Sequence, residues 1–329
     1  MAAPLLDVRD LRVTFATPRG DVCAVDGASF ALEPGEIMGL VGESGSGKSV
    51  ALRAMLRLLR ANARVSGSVL WGGQNLLALP EARLRAIRGG QIGMVFQEPM
   101  SALNPVLTIG AQIVESLAAH TALDRAGRRK RAMELLDLVG IASPALRLDA
   151  YPHEFSGGMR QRAMIAIALA PGPKLLLADE PTTALDVTIQ DQILTLMKSL
   201  VRDLGMAMIL VTHDLGVVAE TCDRVSVIYA GRIAESGPTG AVFDQPRHAY
   251  TYALLRSMPQ GGPARQALRP IAGQPPRLDT PALGCPFAPR CDFVLARCTQ
   301  APPPLLPAGP GRLSACYASE CLAVLEGVA

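Results

Sequence analysis

Residues 42–49 read G-E-S-G-S-G-K-S and match the pattern G-x-x-x-x-G-K-[ST]. They follow residues 37–41, a short apolar stretch that is typical of a buried parallel strand. They precede residues 50–59, whose apolar spacing predicts a helix. Glycines let the backbone turn tightly, and a helix start directs N–H groups at an anion. The segment therefore predicts a phosphate-binding loop within an α/β fold.

Two side chains at the end of this loop have separate predicted roles. In a loop of this kind the lysine reaches the β- and γ-phosphates of a nucleotide, and the hydroxyl ligates Mg²⁺. We assign these roles to Lys48 and Ser49. A glycine-rich loop without function is the alternative, but the flanking strand and helix disfavour it. The predicted nucleotide contacts of the loop are Gly42, Glu43, Ser44, Gly45, Ser46, Gly47, Lys48 and Ser49.

A second apolar strand is predicted at 175–178 and leads into two acids, Asp179 and Glu180. Adjacent carboxylates at the end of an apolar strand are costly unless a metal ion or water uses them. We predict that Asp179 belongs to the Mg²⁺ shell and that Glu180 polarises the attacking water as a general base. The alternative is an ordinary solvated strand end.

A third apolar strand, predicted at 206–211, leads into His213. Open parallel sheets bind their ligands at the carboxyl ends of the strands. We therefore predict that His213 orients the γ-phosphate and the attacking water. A single histidine is more often structural, so this prediction depends on the other motifs.

A further motif, F-S-G-G-M-R-Q-R, occupies residues 155–162. With this motif and the segments described above, the chain resembles the ATP-binding cassette (ABC) family. The resemblance covers roughly residues 5–260. Phe155 stands where the family's signature motif usually has leucine. The resemblance implies that the signature opens the helix predicted at 159–170 and closes over ATP held by a second subunit. It also implies a catalytic and Mg²⁺-contacting glutamine after the strand predicted at 91–96. The residues that the resemblance adds to the site are Gln97, Ser156, Gly157, Gly158 and the D-loop residue Asp186.

An aromatic residue that stacks on adenine is a further expectation from the family. Phe15 stands at that position, although Phe30 is also near. The alternative for Phe15 is an ordinary core phenylalanine.

A closer resemblance is to ATP-binding subunits of oligopeptide and dipeptide importers. It rests on residues 97–105 (Q-E-P-M-S-A-L-N-P), residues 182–188 (T-T-A-L-D-V-T) and the tail. Importers of nickel and other small solutes share much of the pattern, so the solute stays open. The resemblance implies a second ABC ATPase subunit (a paralogue or a copy), two transmembrane permease subunits and an extracytoplasmic solute-binding protein. The implied activity is ATP hydrolysis that drives permease movement.

Five of the seven cysteines lie after residue 284. Their spacing matches neither C-x₂-C zinc pairs nor common ferredoxin runs, so the residues alone leave zinc, iron–sulfur and free thiols open. The tail's resemblance to peptide-importer ATPases, carried by G-C-P-F-A-P-R-C at 284–291, implies a [4Fe–4S] cluster, with zinc as the alternative. Cys321 is left out because Cys316 matches the fourth position better. The implied ligands are Cys285, Cys291, Cys298 and Cys316.

The predicted fold class is α/β, a P-loop NTPase of the ABC cassette type with a mixed or parallel sheet core. An N-terminal antiparallel β part, a helical subdomain and a loop-rich C-terminal cysteine module complete it. We expect the nucleotide-binding domain at 1–260, with the helical subdomain at about 98–165. The C-terminal extension is expected at 261–329, where proline and glycine become frequent.

Charge and hydropathy limit the remaining alternatives. The formal net charge is +3 with 19% charged residues, which does not favour a nucleic-acid partner. No apolar run approaches the ~18–20 residues that span a bilayer, and the first twelve residues lack a signal-peptide pattern. We therefore expect a peripheral protein on the cytoplasmic face of the inner or plasma membrane.

Two other functions are compatible with ATP binding. A soluble ABC ATPase of DNA repair or translation would be expected to carry coiled-coil or zinc-rich insertions, or two cassettes, and none is visible. A regulatory domain that binds ATP without hydrolysing it is disfavoured by Glu180 and His213.

Overall fold

The structure is a computed structural model that describes residues 3–183, 185–258, 270–279 and 283–322. Its strands are β1 (Leu6–Thr17), β2 (Gly20–Leu32), β3 (Ile37–Val41), β4 (Ala63–Trp71), β5 (Gln74–Asn75), β6 (Ile92–Val95), β7 (Leu175–Asp179), β8 (Ala207–Thr212), β9 (Arg224–Tyr229), β10 (Arg232–Pro238), β11 (Leu306–Gly309) and β12 (Arg312–Ser314). Its helices are α1 (Lys48–Met55), α2 (Glu81–Ile87), α3 (Pro99–Ala102), α4 (Ile109–His120), α5 (Arg125–Leu138), α6 (Pro144–Arg147), α7 (Gly157–Leu169), α8 (Val187–Asp203), α9 (Leu215–Thr221), α10 (Thr239–Asp244), α11 (Ala249–Arg256) and α12 (Ser319–Leu322). None of these helices is both long and apolar enough to cross a membrane.

The described residues divide into two units. The first unit is drawn from 1–33, 38–78 and 212–329, and the second from 34–37 and 79–211. The predicted boundary near residue 260 falls outside the described residues, so the division at 260 stays a prediction.

The first unit contains an antiparallel sheet in the order β2-β1-β4-β5. β1 and β2 form a hairpin whose turn includes Pro18 and Arg19. The hydroxyl of Thr17 donates to the carbonyl of Gly20 and closes that turn. One face of β1 is buried through apolar side chains such as Val8 and Val13, which are removed from water.

The first unit also contains a mixed sheet segment. β3 pairs parallel with β9, β9 pairs antiparallel with β10, and β12 joins β10 to β11. All five residues of β3 are buried, which accounts for its continuous apolar sequence. The carboxyl end of β3 leads directly into the glycine-rich loop.

The second unit contains three parallel strands in the order β6-β7-β8, together with helices of the 79–211 segment. All five residues of β7 are buried. Helices α4, α5 and α7 contact one another and pack through apolar residues, among them Ile113, Leu117 and Leu135. The charged run at 128–131 lies in the first turns of α5, with Arg129 and Lys130 exposed.

The predicted fold class is confirmed, with local differences in where elements end. The helix after the loop ends at Met55 rather than residue 59, because Arg57 adopts a left-handed backbone with φ of 53°. The described part of the C-terminal region holds only short helical turns and the two strands β11 and β12. It is therefore loop-rich, as its proline and glycine content predicts.

Candidate nucleotide-binding and hydrolysis sites

The glycine-rich loop of the first unit has no room for side chains at two positions. A Cβ at Gly42 would lie 2.2 Å from the carbonyl oxygen of Ile228. A Cβ at Gly47, where φ is 103°, would lie 2.3 Å from the carbonyl oxygen of Ala24. The glycines therefore let this backbone fold tightly against its surroundings.

Lys48 starts α1 and turns back across the loop. Its ammonium group donates to the carbonyl oxygens of Gly42, at 2.7 Å, and Glu43, at 2.9 Å, and the residue is 4% exposed. The hydroxyl oxygen of Ser46 is buried and has no hydrogen-bond partner among the described residues. The buried ammonium of Lys48 and the hydroxyl of Ser46 lie beside the start of α1, and such an arrangement binds anions. The geometry fits the predicted phosphate site.

In the second unit, Glu180 follows β7 and is held by two side chains. Its carboxylate accepts hydrogen bonds from the side-chain amide of Gln97, at 3.2 Å, and from the hydroxyl of Thr183, at 3.0 Å. Its backbone N–H donates to the carbonyl of Val211, at 3.0 Å, and its φ of 46° is left-handed. Left-handed backbone at a non-glycine residue is a feature of functional sites, where surrounding contacts maintain the strain.

Asp179, the last residue of β7, is fully buried. Burial of a carboxylate is costly unless partners or a cation stabilise its charge. Its position fits the predicted Mg²⁺ role, which stays a prediction.

His213 lies in the first unit, between the end of β8 and the start of α9, and it is exposed. The next residue, Asp214, caps α9 by accepting from the N–H groups of Gly216 and Val217. The position at a strand end agrees with the prediction, and the role in catalysis stays a prediction.

The predicted signature and D-loop residues lie together in the second unit. Ser156 caps α7 by accepting from the N–H of Met159, and Asp186 caps α8 by accepting from the N–H of Ile189. A Cβ at Gly158 would lie 2.8 Å from the side chain of Ile189. Glycine therefore allows the start of α7 to approach the start of α8.

The two candidate adenine-stacking residues differ in burial. Phe30 is 8% exposed and belongs to the core, whereas Phe15 in β1 is half-buried. A ring that stacks on a ligand must be accessible, so Phe15 is the better candidate.

The four cysteines predicted to bind a cluster are free thiols. Backbone N–H groups of Phe293 and Leu295 donate to the sulfurs of Cys291, at 3.3 Å, and Cys298, at 3.4 Å. The N–H of Cys285 donates to the carbonyl of Cys298, at 2.7 Å. These bonds fix the backbone around three of the four thiols.

Burial raises the pKa of three of these thiols, and neighbouring thiols add to the effect. The pKa of Cys291 rises to about 11, mainly through burial, with smaller contributions from Cys316, Cys285 and Cys298. The pKa values of Cys285 and Cys316 rise for the same main reason. The cysteines are thus close enough to interact electrostatically.

Within the part of the chain that the structure describes, no group of three or more histidine, cysteine, aspartate or glutamate side chains is arranged to hold a metal ion. The thiols of Cys285, Cys291, Cys298 and Cys316 lie in the same region, but they are not arranged as a metal-coordination site. The expected iron–sulfur site is therefore not supported by this arrangement. The sequence could not predict this arrangement, because the spacing of cysteines along the chain does not determine how their thiols are oriented in the folded protein.

Residues 25–183 match the family described as ABC transporter, and residues 234–298 match the oligopeptide/dipeptide transporter C-terminal region. The oligopeptide transport ATP-binding protein OppD of Salmonella typhimurium is 50% identical over 313 residues, covering 95% of this chain and 93% of that protein. The protein of the same name in Escherichia coli is 49% identical, covering 96% and 94%.

Solved structures agree with this assignment. The dimeric structure of MJ0796, a bacterial ABC transporter cassette, is 30% identical with a TM-score of 0.64 and covers 71% of this chain and 98% of that one. A post-hydrolysis state of the same cassette, bound to ADP and Pi, is 29% identical with a TM-score of 0.64 and the same coverage. The chain belongs to the ABC transporter family of ATPases.

Sequence reasoning did not find Thr183 as a partner of Glu180. In the run T-T-A-L-D, a threonine three residues after an acid carries no distinctive signal of its own.

Proposed function

We propose that this protein is the ATP-hydrolysing subunit of a peptide importer. The observation that carries the proposal is the carboxylate of Glu180, held by Gln97 and Thr183 at the end of β7. It occurs in a chain about half identical to oligopeptide transport ATP-binding proteins over nearly its whole length.

ATP binding is assigned to the loop of the first unit. Its N–H groups and the start of α1 receive the phosphates, and Lys48 exchanges its two carbonyl contacts for phosphate oxygens. Phe15 supplies the surface for the adenine ring. These contacts bind and orient the substrate without forming a covalent intermediate.

Mg²⁺ neutralises charge on the terminal phosphates when it is bound. The proposed ligands are the hydroxyl of Ser49, the amide oxygen of Gln97 and the carboxylate of Asp179. Their donor atoms are oxygens, which Mg²⁺ prefers.

Hydrolysis is assigned to Glu180 as the general base. The hydrogen bonds from Gln97 and Thr183 hold its carboxylate in one orientation, so it can accept a proton from a water molecule. His213 is proposed to orient the same water and the γ-phosphate.

The protein is proposed to work with a second ABC ATPase subunit, a paralogue or a copy. One similar cassette of known structure, MJ0796, is a dimer. Ser156, Gly157 and Gly158 at the start of α7, with Asp186 at the start of α8, would then contact ATP held by the partner. Two permease subunits and a solute-binding protein complete the proposed importer, with this chain on the cytoplasmic face of the membrane.

A [4Fe–4S] cluster in the C-terminal region is the finer part of the proposal. It rests on the donor set, because four thiols are the ligands that such a cluster takes, and not on the arrangement of those thiols among the described residues. The cluster is a candidate structural element for a region with little regular structure.

The test of the proposed function is ATP-dependent uptake by the complete importer in proteoliposomes. Labelled oligopeptides, dipeptides and nickel ions are offered in parallel, and Lys48→Ala serves as the inactive variant. We expect peptide uptake that requires ATP and is lost in the variant. Nickel uptake alone, or uptake that survives Lys48→Ala, would overturn the proposal.

A further inference from the structure

The segment between Cys285 and Cys291 contacts the phosphate-binding loop within the first unit. The guanidinium of Arg290 donates to both carboxylate oxygens of Glu43, at 2.7 and 3.0 Å. Glu43 is the second residue of the loop. The pair joins residues 247 positions apart in the sequence and is bidentate, which is the strong form of this contact.

The surroundings of Arg290 make this more than a surface ion pair. Its side chain is 4% exposed. It also donates to the hydroxyl of Tyr229, at 3.1 Å, and to the carbonyl of Ala272, at 2.9 Å. The guanidinium lies over the rings of Tyr229 and Phe287, 5.9 Å from each centroid. The arginine is therefore fixed in one orientation.

Glu43 is held at three points. Its carboxylate binds Arg290, its N–H donates to the hydroxyl of Tyr250 at 2.8 Å, and its carbonyl accepts from Lys48 at 2.9 Å. Tyr250 is fully buried. The same loop residue thus connects the C-terminal segment to the lysine that is assigned to the phosphates.

The ion pair with Arg290 also neutralises the negative charge of Glu43. The side chain of Glu43 is only 25% exposed, so its carboxylate is incompletely screened by water. Without Arg290, a negative charge would stand in a loop that binds the anionic phosphates of ATP. That charge would compete for Lys48 and repel the substrate.

We propose that Arg290 is a positioning residue for the phosphate-binding loop, holding Glu43 and neutralising its charge so that the loop binds ATP tightly. This inference rests on the proposed ATPase function. It gives the C-terminal segment a defined task in ATP binding.

The test uses the full chain with its partner subunits. The wild type is compared with three single variants and one double variant. These are Arg290→Met, Arg290→Lys, Glu43→Gln and Arg290→Met/Glu43→Gln. The dissociation constant of MgATP, KM and kcat are measured. Arg277→Met is the matched control, because Arg277 forms an exposed ion pair with Asp279 in the same C-terminal region.

For Arg290→Met we expect the dissociation constant and KM to rise together by about tenfold, with kcat within about twofold of wild type. Arg290→Lys restores the charge and should recover part of the affinity. The double variant should bind ATP more tightly than Arg290→Met alone, because no carboxylate is left unpaired. Arg277→Met should match the wild type.

The inference is wrong if Arg290→Met and Arg277→Met bind MgATP equally well, whatever their melting temperatures. If Arg290→Met does not fold, the MgATP affinities of Arg290→Lys and the double variant test the inference. Affinities equal to that of the wild type in both variants would contradict it. A wild-type complex that binds MgATP but does not hydrolyse it would contradict the proposed function instead.

Discussion

The side-chain amide of Gln97 donates a hydrogen bond to the carboxylate of Glu180 across 3.2 Å. Gln97 lies just beyond β6 and Glu180 directly follows β7, which is the neighbouring parallel strand. A glutamine expected to contact Mg²⁺ is thus joined to the acid expected to activate water.

Thr183 should contribute to catalysis through Glu180. Thr183→Val removes the hydroxyl that donates to the carboxylate, and we expect kcat to fall about five- to tenfold, the equivalent of one lost hydrogen bond of about 1 kcal/mol. KM for ATP should change little. Thr183→Ser keeps the hydroxyl and should retain most of the activity. Steady-state ATPase assays compare the two, and equal losses in both variants would show that the hydroxyl is irrelevant.

The shape of the phosphate-binding loop should be intolerant of a single methyl group at Gly47. Gly47→Ala would place a Cβ 2.3 Å from the carbonyl of Ala24 on a left-handed backbone. We expect MgATP affinity to fall by about 100-fold or more, since such strain and a backbone clash together cost about 3 kcal/mol. Isothermal titration calorimetry measures the effect.

Gly240→Ala is the matched control for this prediction. A Cβ at Gly240 meets no atom within 4 Å, and its backbone is not left-handed. Its affinity should equal that of the wild type. Wild-type affinity in Gly47→Ala as well would mean that the loop has another conformation when it binds ATP.

The local part of this architecture could be predicted because neighbouring residues determine it. The strand at 37–41 and the loop after it follow from an apolar run and from glycine spacing. The contacts that join distant residues could not be predicted in this way. The Gln97–Glu180 and Arg290–Glu43 contacts span 83 and 247 positions, and only the folded chain brings them together.

Stability should depend on pH through His248. Its imidazole is 4% exposed, and burial lowers its pKa from 6.5 to about 4. Between these values the unfolded chain binds a proton that the folded chain does not. The stabilisation is complete above pH 6.5 and is lost as the pH falls towards 4, by about 3 kcal/mol in total.

His248→Asn tests this pH dependence. Nδ1 of His248 accepts from the N–H of Tyr250 at 2.9 Å, and an asparagine oxygen can accept the same bond. Melting temperatures between pH 7.5 and about 4.5 should fall less steeply in the variant. The nearby buried Glu235, whose pKa is raised by burial, is present in both proteins. The difference between the two melting-temperature curves therefore reports the titration of His248. Parallel curves would contradict the assignment.

The proposed cluster predicts that Cys285, Cys291, Cys298 and Cys316 bind iron and sulfide. Protein purified without oxygen should contain about four irons and four labile sulfides per chain. Cys298→Ser should lose them, whereas Cys222→Ser, at a buried cysteine outside the region, should keep them. Zinc alone, or no metal in the wild type, would show that the protein holds no iron–sulfur cluster and would leave the ATPase assignment intact.

Hydrolysis by Glu180 is proposed to drive peptide uptake, and a paired measurement of both activities checks this link. ATP turnover and peptide uptake are recorded in the same proteoliposomes for wild type and Glu180→Gln. Glu134→Gln, which alters an exposed pair with Arg131, is the control. We expect Glu180→Gln to bind ATP but to lose about 100-fold or more of both activities, as removal of a general base does. ATP turnover and peptide uptake that persist in Glu180→Gln would show that Glu180 is not the general base that drives uptake.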